Sequence, residues 1–185
     1  MGRHDSSNGV DVTIFYLESR RPTYQGVADM TEEDKHLTGP HHFQMDSWIS
    51  CAPFERLLGM EIAEASGGRA VLRMPFLIDY AQGAGLMHGG ALVSLADTAV
   101  VMAIKSIITP YSHFATIALE TKFLLPVKKG MVTAKAAVNG GEGRLFKGEA
   151  TVFDEEGRAV MEFRSTFKIA RDTKIEGVIF GEDMQ

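Results

Sequence analysis

Residues 88–108, HGGALVSLADTAVVMAIKSII, decide the architecture, because they form the best helix pattern in the chain and stop just short of Pro110. At about 100° per residue, Leu92, Leu95, Ala96, Ala99, Val100, Ala103 and Ile107 make a broad apolar stripe suited to facing a sheet. A second stripe, Val93, Val101 and Ile104, runs beside it, and Ser94, Thr98 and Lys105 form the polar strip.

Upstream, Ala52–Gly59 reads as a short helix with Pro53 in its first turn. Met60–Ala65 and Arg69–Phe76 read as strands joined by Ser66-Gly67-Gly68, a hairpin signal. The glycine-rich turn Gln82-Gly83-Ala84-Gly85 then leads into His88. Downstream, the strand patterns are Ala115–Val127, Met131–Val138, Arg144–Phe153 and Ala159–Ile169. In the last of these Ala159, Met161, Phe163, Ser165, Phe167 and Ile169 share one face. The connections after the helix are too short for parallel crossovers, so these neighbours are antiparallel. The expected fold is α+β, an antiparallel sheet wrapped around one long central helix. Residues 47–170 form the expected domain, 1–46 a polar and loosely docked extension, and 171–185 a C-terminal tail.

The totals exclude several classes. A chain of 185 residues with 45 % hydrophobic and 23 % charged residues has the makings of one sizeable core. A formal net charge of -5 argues against nucleic-acid binding, which rests on Lys and Arg at phosphates. Cys51 is the sole cysteine, so no intrachain disulfide forms. No run approaches the roughly 20 apolar residues of a membrane helix, and the first residues lack a signal-type apolar region. A cytoplasmic, soluble protein is expected. His36, His41 and His42 lack a scaffold and a cysteine partner, so no metal site is expected. Cys51 likewise has no paired His to make it a nucleophile. Phe54, Leu57, Leu58 and Met60 read as core or as pocket wall.

Asp97 lies in the second apolar stripe, four residues from both Val93 and Val101. A carboxylate there is costly to desolvate unless it finds donors, which makes it a candidate for a raised pKa and a functional contact. The plainer alternative is partial exposure or a structural hydrogen bond. Gly89 and Gly90 begin the helix, so their N–H groups lack intrahelical acceptors and carry the positive end of its dipole. Such groups suit a carbonyl oxygen that gains negative charge in a transition state. They equally suit a tight entry turn, with His88 organising the backbone.

Gln82, His88-Gly89-Gly90-Ala91 and Leu95-Ala96-Asp97-Thr98-Ala99 together resemble the hotdog-fold acyl-CoA thioesterases of the phenylacetic-acid-degradation (PaaI-like) type, over roughly Trp48 to Ala170. That resemblance implies hydrolysis of an aryl- or fatty acyl-CoA, with coenzyme A entering as part of the substrate and no separate cofactor. It implies Asp97 as general base or nucleophile, Gly89 as the N–H that polarises the carbonyl, and His88 as the residue that orders the turn. Gln82 stands where many relatives have Asn, and Thr116 matches a Ser or Thr that assists the acid. The resemblance also implies a homodimer, each pocket using the turn of one subunit and the acid of the other, and pairing of dimers into a homotetramer.

Coenzyme A carries phosphates, so Gly90, Arg144, Lys128 and Lys147 are the expected substrate contacts, with Arg144 first because it follows the flexible loop 139–143. Lys129 belongs to the same basic group. Two other functions compete. A non-catalytic acyl-CoA-binding module would use the same fold without needing Asp97. A hotdog dehydratase fits the His-Gly-Gly turn poorly.

Overall fold

An antiparallel sheet curls against a single long helix in the computed structural model, which describes residues 41–181 except residue 176. The elements are β1 (Phe43–Met45), α1 (Pro53–Leu57), β2 (Glu61–Ser66), β3 (Arg69–Pro75), a 3-10 turn (Ile78–Tyr80), α2 (Gly89–Lys105), β4 (Ser112–Phe123), β5 (Met131–Glu142), β6 (Leu145–Phe153), β7 (Ala159–Lys174) and β8 (Val178–Phe180). The six-stranded sheet runs β2-β3-β5-β6-β7-β4, every neighbouring pair antiparallel. Consecutive strands of this sheet are neighbours except twice: α2 carries the chain from β3 to the far edge at β4, and the short connection after β4 brings it back across α2 to β5 beside β3, so β4 and β5 are not the antiparallel neighbours that their short connection led the sequence reading to expect. The α+β hotdog architecture expected from the sequence is what the chain adopts.

Local chemistry explains the elements. The β2–β3 hairpin closes on Gly67 and Gly68, whose φ values of 54° and 77° suit a two-residue turn that residues with a Cβ adopt at a cost. Helix α2 sits where the inner face of the sheet is small: Ala70, Ala134, Ala136 and Ala150 are buried beneath it. At Gly148 a Cβ would overlap the Val100 side chain, so helix and sheet touch most closely there. Leu92, Leu95, Ala96, Ala99, Val100 and Ala103 are all buried, as the first stripe requires. Truncating a fully buried side chain such as Leu95 costs about 2–5 kcal/mol.

The structure departs from the sequence reading in several places, among them β4, which spans Ser112–Phe123 rather than Ala115–Val127, and β5, which runs to Glu142 through most of the expected loop 139–143. The helix ends at Lys105, not Ile108, because side chains take its last carbonyls; Ile107 falls outside and is 45 % exposed. Thr98, assigned to the polar strip, is buried, and Met102, assigned to no stripe, is buried too. Helix α1 buries none of its residues, so Phe54 and Leu57 are surface rather than core, while Met60 is core. Finally, order extends beyond 47–170. Strand β7 continues to Lys174, and β8 pairs in parallel with β1, Phe43 opposite Val178 and Met45 opposite Phe180. These strands are held because Met45 and Phe180 bury against Trp48 in a second, smaller core with Tyr111 and Phe114. Residues 1–40 of the expected extension, with the apolar run Val10–Leu17 and His36, lie outside the described residues.

Candidate active site

The N-terminus of α2 and its second stripe define the candidate site. His88 is the N-cap, and its Nδ1 accepts the Gly90 N–H at 2.9 Å. Its own N–H donates to the Tyr80 carbonyl at 2.7 Å, and the preceding Met87 N–H donates to Val127, so the turn is pinned from two sides. With Gly90 occupied, the Gly89 N–H is the donor without an acceptor among the described residues. A Cβ on Gly89 would come 2.9 Å from Cζ of Phe123, at the end of β4. A Cβ on Gly90 would crowd His88 Nδ1 at the same distance. Both glycines therefore answer to space as well as to the turn.

Two turns further along α2, Asp97 is half-buried between Val93 and Val101. Thr116 of β4 donates its hydroxyl to the carboxylate, 3.2 Å from each oxygen. Burial pushes the Asp97 pKa above the ordinary carboxylate value, and the Thr116 hydrogen bond opposes that shift. Asp97 is thus a half-buried carboxyl oriented by one hydroxyl, that of Thr116.

The remaining expected residues divide. Gln82 spends its side-chain oxygen on its own turn, accepting the Ala84 N–H at 2.6 Å. Lys128 follows Val127, whose carbonyl holds Met87, so it lies beside the His88 turn. Arg144 donates Nη1 to the Ile169 carbonyl at 3.2 Å and accepts that residue's N–H, which fastens it to the β7 end that pairs with Phe114. Lys147 pairs with Asn139 and Thr166 on the sheet face turned away from α2, whereas Asp97 lies on the helix side. Lys129 forms an ion pair with Glu155 at 3.0 Å. His41 and His42 are exposed, and the Cys51 thiol, raised in pKa by burial, donates to the Met60 carbonyl. The sequence reading missed Phe123 as the ring over Gly89, because that contact depends on where β4 enters the far edge of the sheet.

A curled antiparallel sheet around one helix, with a capped glycine turn at the helix start and a half-buried acid two turns on, is a hotdog-type arrangement. A family model described as the thioesterase superfamily matches residues 84–161. The candidate esterase ComA2 of Bacillus subtilis is 32 % identical over 117 residues, covering 62 % of this chain and 91 % of its own. A candidate esterase of Halobacterium salinarum is 29 % identical over 126 residues, covering 62 % and 83 %. Among solved structures, the Escherichia coli PaaI protein of the phenylacetic acid degradation operon is 27 % identical with a TM-score of 0.61, covering 66 % of this chain and 87 % of its own. A point mutant of the phenylacetic acid degradation protein PaaI of Thermus thermophilus is 25 % identical with a TM-score of 0.58, covering 63 % and 98 %. The chain belongs to the thioesterase superfamily.

Proposed function

We propose that the protein hydrolyses the thioester of an aryl- or fatty acyl-CoA, giving the free acid and coenzyme A. The observation that carries this reading is the pairing of an open Gly89 N–H with a half-buried, Thr116-held Asp97 on one helix. The thioester carbonyl oxygen takes the Gly89 N–H, which stabilises the charge that grows on it. Asp97 then either removes a proton from the attacking water or attacks the carbonyl carbon to form an anhydride that water opens. In both routes the C–S bond breaks, coenzyme A leaves as its thiolate and a proton returns to sulfur. Lys128, beside the turn, is the basic residue best situated for a coenzyme A phosphate, with Arg144 next.

The same reading calls for two copies of the chain. Gly89 and Asp97 are eight residues apart on one helix, roughly 12 Å along its axis at about 1.5 Å per residue. A hydrogen bond of about 2.9 Å, a carbonyl bond of about 1.2 Å and an attack distance of about 3–3.5 Å together reach about 7–8 Å, short of that axial span. The proposed dimer accordingly serves one carbonyl with the Gly89 of one protomer and the Asp97 of the other. Strand β4 supports such pairing, since it is a sheet edge on which Ile117, Leu119 and Phe123 are 56 %, 51 % and 53 % exposed.

The test is thiol release from a panel of aryl- and fatty acyl-CoAs by wild type and Asp97→Ala. The expected result is turnover that falls about 10²–10⁴-fold in the variant with the fold intact by circular dichroism. Saturable binding without turnover by the wild type would instead make the protein an acyl-CoA-binding module.

A further inference from the structure

Resting on the thioesterase reading, we infer that Phe123 selects the acyl group by shape, favouring straight chains over those branched beside the carbonyl. Its ring stands directly against the open donor at the helix start. A Cβ on Gly89 would come 2.9 Å from Cζ of Phe123 and 3.1 Å from its Cε1. In a helix the Cα–Cβ bond tilts toward the N-terminus, which is also where the first N–H groups point. An acceptor on the Gly89 N–H therefore lies on the ring's side of the glycine, and the ring bounds the space it enters.

That wall is held in place and still bare. Thr121 donates its hydroxyl to the Glu162 carbonyl at 3.2 Å, and the Leu124 N–H donates to the Val160 carbonyl at 2.8 Å. The backbone on either side of Phe123 is thus fastened to β7, where its partner in register, Met161, is fully buried. The Phe123 side chain itself is 53 % exposed. A carbonyl oxygen about 2.9 Å from the Gly89 nitrogen carries the thioester carbon about 1.2 Å away, so the groups on that carbon are the next to meet the ring. One is the coenzyme A arm, which is studded with amides, and the other is the apolar acyl group. Covering a bare ring favours the apolar one. A methylene next to the carbonyl lies along the ring. A second carbon there must push the ring aside or lift the oxygen off the Gly89 N–H.

The experiment compares two isomers, pentanoyl-CoA and 2-methylbutanoyl-CoA, for wild type, Phe123→Leu and Phe123→Ala, with each fold checked by circular dichroism. The expected wild type prefers the straight chain by at least about tenfold in kcat/KM, the scale on which one misplaced carbon is discriminated. Phe123→Ala brings the ratio close to one by gaining activity on the branched thioester, and Phe123→Leu falls between. Equal rates in the wild type, an unchanged ratio in Phe123→Ala, or a ratio narrowed only by loss on pentanoyl-CoA overturns the proposal. A wild type that cleaves neither thioester refutes the enzyme reading instead. Calorimetric binding of the same two uncleaved thioesters to the same three proteins then decides Phe123 alone, by the same pattern of preference and its loss.

Discussion

The two ends of α2 are built to opposite purposes. At its C-terminus every nearby group is consumed: Trp48 Nε1 donates to the Lys105 carbonyl at 3.1 Å, Ser106 closes on Ala103, and Ile107 and Ile108 close on Ile104. The Lys105 amine turns back to the Trp48 carbonyl at 2.9 Å and lies over the indole ring, and burial lowers its pKa. At the N-terminus, one histidine ring satisfies one amide and Gly89 is left open beneath a half-exposed Phe123. The Gly89 amide lies near the surface, where water satisfies it, so of the two ends only the N-terminus keeps a donor free for the ligand proposed above. The lesson is that closed and open ends on one element separate holding from doing.

Three single substitutions and one double variant break or sharpen that contrast. The largest effect is expected from Trp48→Ala, which removes the centre of the second core. Stability should fall by about 3–5 kcal/mol in denaturant titration, while kcat/KM at a permissive temperature stays within a few-fold of wild type. Gly89→Ala should do the reverse, because its Cβ meets the Phe123 ring. The expected loss is about tenfold in kcat, or about 1.4 kcal/mol of barrier, with little change in melting temperature. Adding Phe123→Leu to the alanine variant should restore part of the rate, and no recovery would assign the loss to the turn's backbone instead.

The smallest effect is expected from Thr116→Val. With its hydrogen bond gone, only burial acts on Asp97, so its pKa rises further. In the proposed mechanism Asp97 works deprotonated, so the acid limb of kcat/KM should move to higher pH with the plateau changed only a few-fold. A raised carboxyl pKa means folding favours the neutral acid. That contribution to stability is present below the unfolded carboxylate pKa and is lost as pH rises through the folded one. Removing Thr116 widens this window upward, which thermal melts across the same pH series check.

Much of this was legible in advance because the signals were local. The apolar stripe of α2, the antiparallel hairpins and the His88 turn each follow from a few consecutive residues, and six of the stripe's seven members are buried. Thr116 was reached by matching a family pattern, and its 3.2 Å contacts with Asp97 depend on β4 taking the far edge of the sheet. What stayed hidden was non-local. The Ile107 error came from reading periodicity past Lys105, where a tryptophan 57 residues away caps the helix. The β1–β8 pair joins segments more than 130 residues apart, each too short and too plain to announce a strand. Lys147 reads as basic near a turn, but only strand register reveals that it faces away from the helix.

The β1–β8 pair also has a mechanical meaning. Because the two strands run parallel, the chain enters at the Phe43 end and leaves past Phe180 at the Met45 end. Tension applied through the flanking chain therefore pulls them lengthwise in opposite senses. Their backbone hydrogen bonds and the aromatic plug behind them are loaded together in shear rather than peeled one at a time, so the clasp over the closed end of α2 should yield in a single step.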